Sequence, residues 1–288
     1  MIVNPTIAGA LSVAACFAAT RQFTLNFRDK RRTELAISQL VNLKQLIDLS
    51  QQHRGTSSAV CAGNASLVGK LTFLQQQIDQ FILGAQNTEM QTLPQWQSFV
   101  DHWPRLKKQI LDRKLTPHQV IRQHNAMIEG QLSLFDDLSR LYNLHHFMLD
   151  NITRLSEICL DTLRAAEILG QMRAVGSTLC ARGQAGGTET MMLSFQRLTA
   201  NSRIGELLRE TAGIRNKDLV GILAGQNGKI ERDTDLLLQT IDQQVLIEGS
   251  ITLSADEYFK TATRTIDTVL NVFSLIINYA ADNHAKLN

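Results

Sequence analysis

Residues 52–62 read QHRGTSSAVCA, and residues 171–181 read QMRAVGSTLCA. Gln, Arg, Ser, Cys and Ala recur at the same offsets in the two segments. The two arginines, Arg54 and Arg173, are separated by a little under half of the 288 residues. In the first copy the apolar and small positions follow the 3- and 4-residue spacing of one helix face. This repeat therefore predicts two related helical units, each carrying one arginine.

The rest of the chain also has the pattern of helices. Only 4 prolines occur in 288 residues, and no segment alternates with period two for long enough to make a strand. The sequence predicts an all-α protein of about eight helices in two antiparallel four-helix bundles, with the first bundle at 31–144 and the second at 145–288. The expected helices cover 31–62, 66–84, 94–110, 116–141, 148–182, 188–212, 216–248 and 255–284.

The first twenty residues differ from the rest. Residues 2–20 carry no charge, and as a helix they would extend about 28 Å, close to the thickness of a bilayer core. A basic cluster follows at Arg21, Arg28, Lys30, Arg31 and Arg32. We therefore expect residues 1–22 to be a single-pass anchor in the inner membrane, with the soluble part in the cytoplasm. The alternatives are a lipoprotein acylated at Cys16, in the segment VAAC, and a helix that packs on the fold.

Composition argues against several classes of function. A net charge of +2 does not favour a nucleic-acid partner. The four cysteines are scattered, and His124, His145 and His146 lack partners at metal-ligand spacing, so we predict no metal site. No motif of a hydrolase, metalloprotease or dinucleotide-binding enzyme occurs. We therefore predict no catalytic residues, no cofactor and no enzymatic activity.

The two repeated arginines lack a counter-charge on their own helices. No carboxylate lies three or four residues from Arg54 or Arg173, and the acid six residues before each is turned about 120° around the helix. A buried guanidinium without a partner costs several kcal/mol. The missing negative charge must come from another helix, as a structural salt bridge, or from a bound anion. The residues alone leave both alternatives open.

A planar oxyanion suits these arginines because it accepts two parallel hydrogen bonds from one guanidinium. Amide and hydroxyl groups next to the arginines add further donors. The predicted anion ligands are Arg54, Arg173, Gln52, Gln171, Ser58 and Ser177. A second set of candidates contains Ser57, Gly55, Gly176, His53 and Arg232.

These residues also resemble a known family. Residues 51–57 fit Gln-x-His-Arg-Gly-x-Ser, which resembles the Gln-x-Glu-Arg-Gly-x-Ser signature of nitrate- and nitrite-sensing (NIT) domains. Residues 167–174 are similar to that family's second arginine helix, and residues 258–267 to its closing helix. The resemblance covers about 35–285. It implies two four-helix bundles and a nitrate held by arginines of both, which here would be Arg54 and Arg173.

The chain departs from the family pattern at His53, where an acid is usual. This change removes a negative charge and introduces a group that titrates near neutrality, which predicts pH-dependent binding. The family's domain is normally fused to an output module, and too few residues follow the last predicted helix to form one. The sequence therefore predicts a non-enzymatic nitrate or nitrite sensor that acts on a separate signalling protein in a bacterium, as a monomer or homodimer. The alternative is a membrane-associated helical scaffold whose arginines form structural salt bridges.

Overall fold

Eight α-helices follow one another along the part of the chain that the structure, a computed structural model, describes. It describes the backbone of residues 5–283 and the side chains of 31–283. Over that range it contains no strand, which confirms the all-α prediction. The helices are α1 (Pro5–Cys61), α2 (Val68–Gly84), α3 (Pro94–Leu111), α4 (Pro117–Leu141), α5 (Leu155–Arg182), α6 (Gly187–Gly213), α7 (Lys217–Thr240) and α8 (Ala255–Asn283).

Several helix ends follow directly from local sequence. Thr116 and Gln119 form a reciprocal capping box at the start of α4, and Pro117 occupies the first turn. Ser254 caps α8, because its Oγ accepts a hydrogen bond of 3.2 Å from the Glu257 backbone N–H. Gly183 ends α5 with a φ of +71°, a conformation that glycine adopts without strain. These three boundaries confirm the sequence predictions.

The start of α5 was predicted too early. The helix begins at Leu155 rather than near 148 because Asp150 turns the chain before it. The Asp150 carboxylate accepts hydrogen bonds from the backbone N–H groups of Ile152 (2.9 Å) and Thr153 (2.8 Å). Such a side-chain to backbone turn competes with a helix.

The helices pack in two groups. In the first, α1 contacts α2 and α4, and α3 contacts α4; in the second, α5 contacts α6 and α8, and α7 contacts α6 and α8. Contacts of α5 with α1 and α4, and of α8 with α1, join the two groups. The domain boundary between 144 and 145 stays a prediction. This arrangement brings the two helices that carry the repeated arginines, α1 and α5, next to each other.

Within residues 5–283, no helix has a stretch long and apolar enough to cross a membrane. The anchor predicted for residues 1–22 begins before the described range, and its side chains, including that of Cys16, lie outside it. Membrane attachment therefore stays a prediction.

A glycine on α5 allows α8 to pack closely against it. Tyr258 of α8 is fully buried, and its hydroxyl donates a hydrogen bond of 2.9 Å to the Met172 backbone carbonyl. A Cβ placed on Gly176 would lie 2.1 Å from the Tyr258 Cζ. Only glycine leaves room for the ring at this position, so Gly176 determines how closely α8 approaches the helix that carries Arg173.

We predict that Gly176→Ala lowers the free energy of unfolding by about 1–3 kcal/mol, because the tyrosine ring must shift out of its packed position. Urea denaturation measures this change. The matched control is Gly221→Ala on α7, where no atom lies within 4 Å of the added Cβ. The control should keep or slightly raise stability, since alanine favours a helix by about 1 kcal/mol over glycine. Equal stability of the two variants would contradict the packing role of Gly176.

Candidate functional site

A groove of about 1040 Å³ runs between α1, α5 and α8. Side chains from all three helices line it, and both repeated arginines are among them. The groove therefore unites the two copies of the sequence repeat at one place. The lining residues used below are Gln52, Arg54, Gly55 and Ser58 from α1, Gly170, Arg173 and Ser177 from α5, and Phe259, Thr263 and Asp267 from α8.

Arg54 has its counter-charge inside the protein. Its side chain is 1% exposed, and its Nη1 and Nη2 donate to the two carboxylate oxygens of Glu167, at 2.5 Å and 3.3 Å. Nη1 also donates to the Asn125 Oδ1 at 2.7 Å. For this arginine, the salt bridge to another helix is the alternative that holds. It joins α1 of the first helix group to α5 of the second.

Glu167 is saturated with hydrogen bonds. Besides the two from Arg54, its carboxylate accepts bonds from the Gln51 Nε2 at 3.0 Å and the Gln171 Nε2 at 2.9 Å. Gln171, which was also predicted to be a ligand, does not line the groove. Its position, four residues after Glu167 on α5, turns its amide towards the carboxylate instead.

Arg173 has no such partner. In residues 31–283 no carboxylate lies within 4 Å of its guanidinium, although it is only partly exposed. Its Nη1 donates to the Thr263 hydroxyl at 2.9 Å, and its Cζ lies 4.9 Å from the centre of the Phe259 ring. Burial lowers the pKa of Arg173, and the positive charge of Arg54 lowers it further. An arginine nevertheless stays protonated in proteins, so Arg173 is a cation without an ion pair.

Four further predicted ligands line the groove. Ser58 is buried and faces it, and Gln52 and Gly55 lie at its more open part. Ser177, one helical turn after Arg173, also lines the groove. Its Oγ is buried and has no hydrogen-bond partner among the described residues. A buried hydroxyl without a partner is uncommon in a folded protein, so Ser177 is available to a ligand.

Three other candidate site residues lie away from the groove. Ser57 is fully buried, and its hydroxyl donates to the His53 backbone carbonyl of its own helix at 2.5 Å. Gly176 packs under Tyr258 rather than facing the groove. Arg232 is an exposed side chain on α7 and does not line the groove.

His53, another candidate ligand, turns into the first helix group. It is fully buried, with its Nδ1 2.7 Å from the His124 Nε2, while the His124 Nδ1 lies 2.7 Å from the Val120 carbonyl oxygen. Burial lowers the pKa of both rings, and that of His124 falls to about 3. Both histidines are therefore neutral near pH 7, and the expected titration of His53 near neutrality does not occur.

No ligand was predicted from the sequence on the α8 side of the groove, although residues 258–267 are similar to the family's closing helix. Thr263 and Phe259 contact Arg173, and Asp267 lies close enough to raise its pKa. On α1, Asp48 forms an ion pair of 2.5 Å with Lys44, and burial raises its pKa. The i, i+4 spacing of Lys44 and Asp48 was a readable signal. The contacts of α8 depend on how helices pack, which local spacing does not encode.

Comparison with known proteins identifies the family of the chain. Residues 45–274 match the family described as nitrate and nitrite sensing. No curated protein matches the chain. The solved structure of the NasR transcription antiterminator is similar, with a TM-score of 0.66 and 16% identity over 96% of this chain and 74% of that one. That similarity supports the fold. The family match covers most of the chain and includes both repeated arginines, and the protein belongs to the nitrate and nitrite sensing family.

Proposed function

We propose that the protein is a non-enzymatic sensor that binds nitrate or nitrite in the groove between α1, α5 and α8. The observation that carries this proposal is Arg173, a partly buried cation with no carboxylate within 4 Å in the described part of the chain. A cation in this setting gains most from a small anion that enters the groove, since Coulomb attraction is stronger where water is partly excluded.

The donors around Arg173 fit a planar oxyanion. Thr263 uses one N–H of the guanidinium, and the remaining N–H groups are available for two parallel bonds. The Ser177 hydroxyl, one turn further along α5, supplies another donor. Phe259 covers part of the guanidinium. Nitrate and nitrite are planar monoanions that match this geometry.

Arg54 contributes a second positive charge. Its charge lowers the pKa of Arg173, so the two guanidinium groups repel each other, and the carboxylates of Asp267 and Glu167 offset part of this repulsion. An anion between them relieves this repulsion. The ligand would then touch residues of both helix groups, α1 on one side and α5 and α8 on the other. Binding would shift the equilibrium between arrangements of the two groups, which a downstream signalling protein could recognise.

The assembly of the sensor belongs to the same proposal. We expect a bacterial protein attached to the inner membrane through residues 1–22, with the groove in the cytoplasm and a homodimer as one form. A second candidate function, a helical scaffold without a ligand, is favoured by the buried Arg54–Glu167 salt bridge. Arg173 distinguishes the sensor from the scaffold. A scaffold does not require a cation in a groove without a carboxylate nearby, whereas an anion sensor does.

We predict that Arg173→Ala weakens nitrate binding at least about thirtyfold, because removing a buried charge partner costs about 2 kcal/mol or more. Calorimetric titration of the full chain with nitrate, nitrite and chloride measures this effect. Chloride should bind more weakly than either oxyanion, since it cannot accept two parallel hydrogen bonds.

The matched control is Arg232→Ala, which removes the same charge from an exposed site outside the groove. Its nitrate affinity should equal that of the unaltered protein. The sensor proposal would be wrong if millimolar nitrate gave no binding, or if both arginine variants bound nitrate equally well.

We also predict that nitrate affinity changes less than about twofold between pH 6 and pH 8, because the arginines stay charged and His53 and His124 stay neutral. Titrations at three pH values test this. A steep change of affinity across pH 6–8 would show that another titrating group contacts the anion.

The free energy of unfolding should behave differently: it should fall as the pH drops below 6.5, the ordinary pKa of histidine. Below that pH the unfolded chain takes up protons that the folded protein excludes from both rings.

A further inference from the structure

The Arg54–Glu167 pair has the same chemistry as the proposed complex with the ligand. A carboxylate is a planar anion with two acceptor oxygens, and the two oxygens of Glu167 accept bonds from Nη1 and Nη2 of Arg54. Nitrate and nitrite would present the same pair of acceptors to the same donors. The Arg54 guanidinium therefore has two possible anionic partners. One is the carboxylate of Glu167 inside the protein, and the other is a nitrate or nitrite ion that enters the groove.

We propose that Glu167 is an internal competitor of the ligand and sets its affinity. Without ligand, Glu167 holds Arg54; an oxyanion bound at Arg173 draws the Arg54 guanidinium away from Glu167 and towards itself. Glu167 is thus a positioning residue that acts through Arg54. The inference rests on the proposed function, since it concerns the same ligand and groove.

Glu167 can release Arg54 without losing all of its hydrogen bonds. Its carboxylate keeps the hydrogen bonds from Gln51 (3.0 Å) and Gln171 (2.9 Å) when the arginine leaves. Hydrogen bonds to the charged form stabilise a carboxylate even where water is excluded. The two glutamines therefore lower the free-energy cost of separating Glu167 from Arg54. A carboxylate with Arg54 as its sole hydrogen-bond donor would have a higher cost.

The backbone of α5 leaves space for the exchange. A Cβ placed on Gly170 would lie 2.8 Å from the Arg54 Nη2, so only glycine allows the guanidinium to lie here. Gly170 lines the groove one turn before Arg173. A short movement of Arg54 past Gly170 would bring its donors from Glu167 to an anion at Arg173.

The exchange also links binding to the packing of the helix groups. Arg54 lies on α1 and Glu167 on α5, so their ion pair holds the two groups together. Once the arginine turns to the ligand, this direct bond is replaced by one through the anion. The affinity then includes the cost of opening the ion pair, because only the open fraction of molecules offers both arginines.

The test is Glu167→Gln, which keeps the shape of the side chain, removes its charge and replaces one of its two acceptor oxygens with an amide donor. We expect nitrate to bind about tenfold more tightly in the calorimetric titration of the full chain, because Arg54 no longer has a competing anion. In an Arg54→Ala background the same substitution should change affinity less than about twofold. The matched control is Glu157→Gln, an exposed position on the same helix, with unchanged affinity expected.

The outcomes separate this inference from the proposed function. Equal or weaker nitrate binding by Glu167→Gln, with binding by the unaltered protein, overturns the inference and leaves the sensor proposal intact. Equal tightening with and without Arg54 also overturns it, because Glu167 would then act on Arg173 by charge alone. Absence of binding in both proteins at millimolar nitrate contradicts both proposals.

A second measurement needs no change at Glu167, in case that variant does not fold. Nuclear magnetic resonance of the arginine side-chain N–H groups follows Arg54 and Arg173 in the unaltered protein, with Arg54→Lys and Arg173→Lys to assign the signals. Saturating nitrate should shift the signals of both arginines. A shift confined to Arg173 would overturn the competition for Arg54.

Discussion

The need to neutralise a buried guanidinium is the constraint on which this protein depends. Two arginines enter the same groove from α1 and α5. Arg54 meets the constraint with Glu167, which is itself saturated by two glutamine amides. Arg173 meets it only in part, through the Thr263 hydroxyl and the face of Phe259. The difference between the two sites makes one arginine structural in the absence of ligand and leaves the other open to an anion.

Close helix packing makes this difference possible. Gly176 lets Tyr258 of α8 lie directly against α5, which brings Thr263 and Phe259 next to Arg173. Gly170, two turns before it on α5, gives room to the Arg54 guanidinium. Small residues at these two positions let large polar and aromatic groups of other helices approach the backbone of α5.

The sequence predicted the all-α architecture because helices and their caps are patterns within one segment. The repeat singled out Arg54 and Arg173, and both line one groove. The ion-pair partner of Arg54 could not be predicted from the sequence. Glu167 lies 113 residues away and pairs with Arg54 only because α1 packs on α5. The direction of the His53 side chain could not be predicted for the same reason. Whether it faces the groove or His124 depends on the rotation of α1 against α4. Local spacing gives a face of a helix but not the neighbour that covers it.

The most direct measurement of the central claim is a crystal structure of the full chain grown with saturating nitrate. The account predicts planar density in the groove, within hydrogen-bond distance of the Arg173 guanidinium and the Ser177 hydroxyl, with α8 on its other side. A groove that holds no anion under these conditions, with Arg173 instead paired to a carboxylate such as that of Asp267, would contradict it.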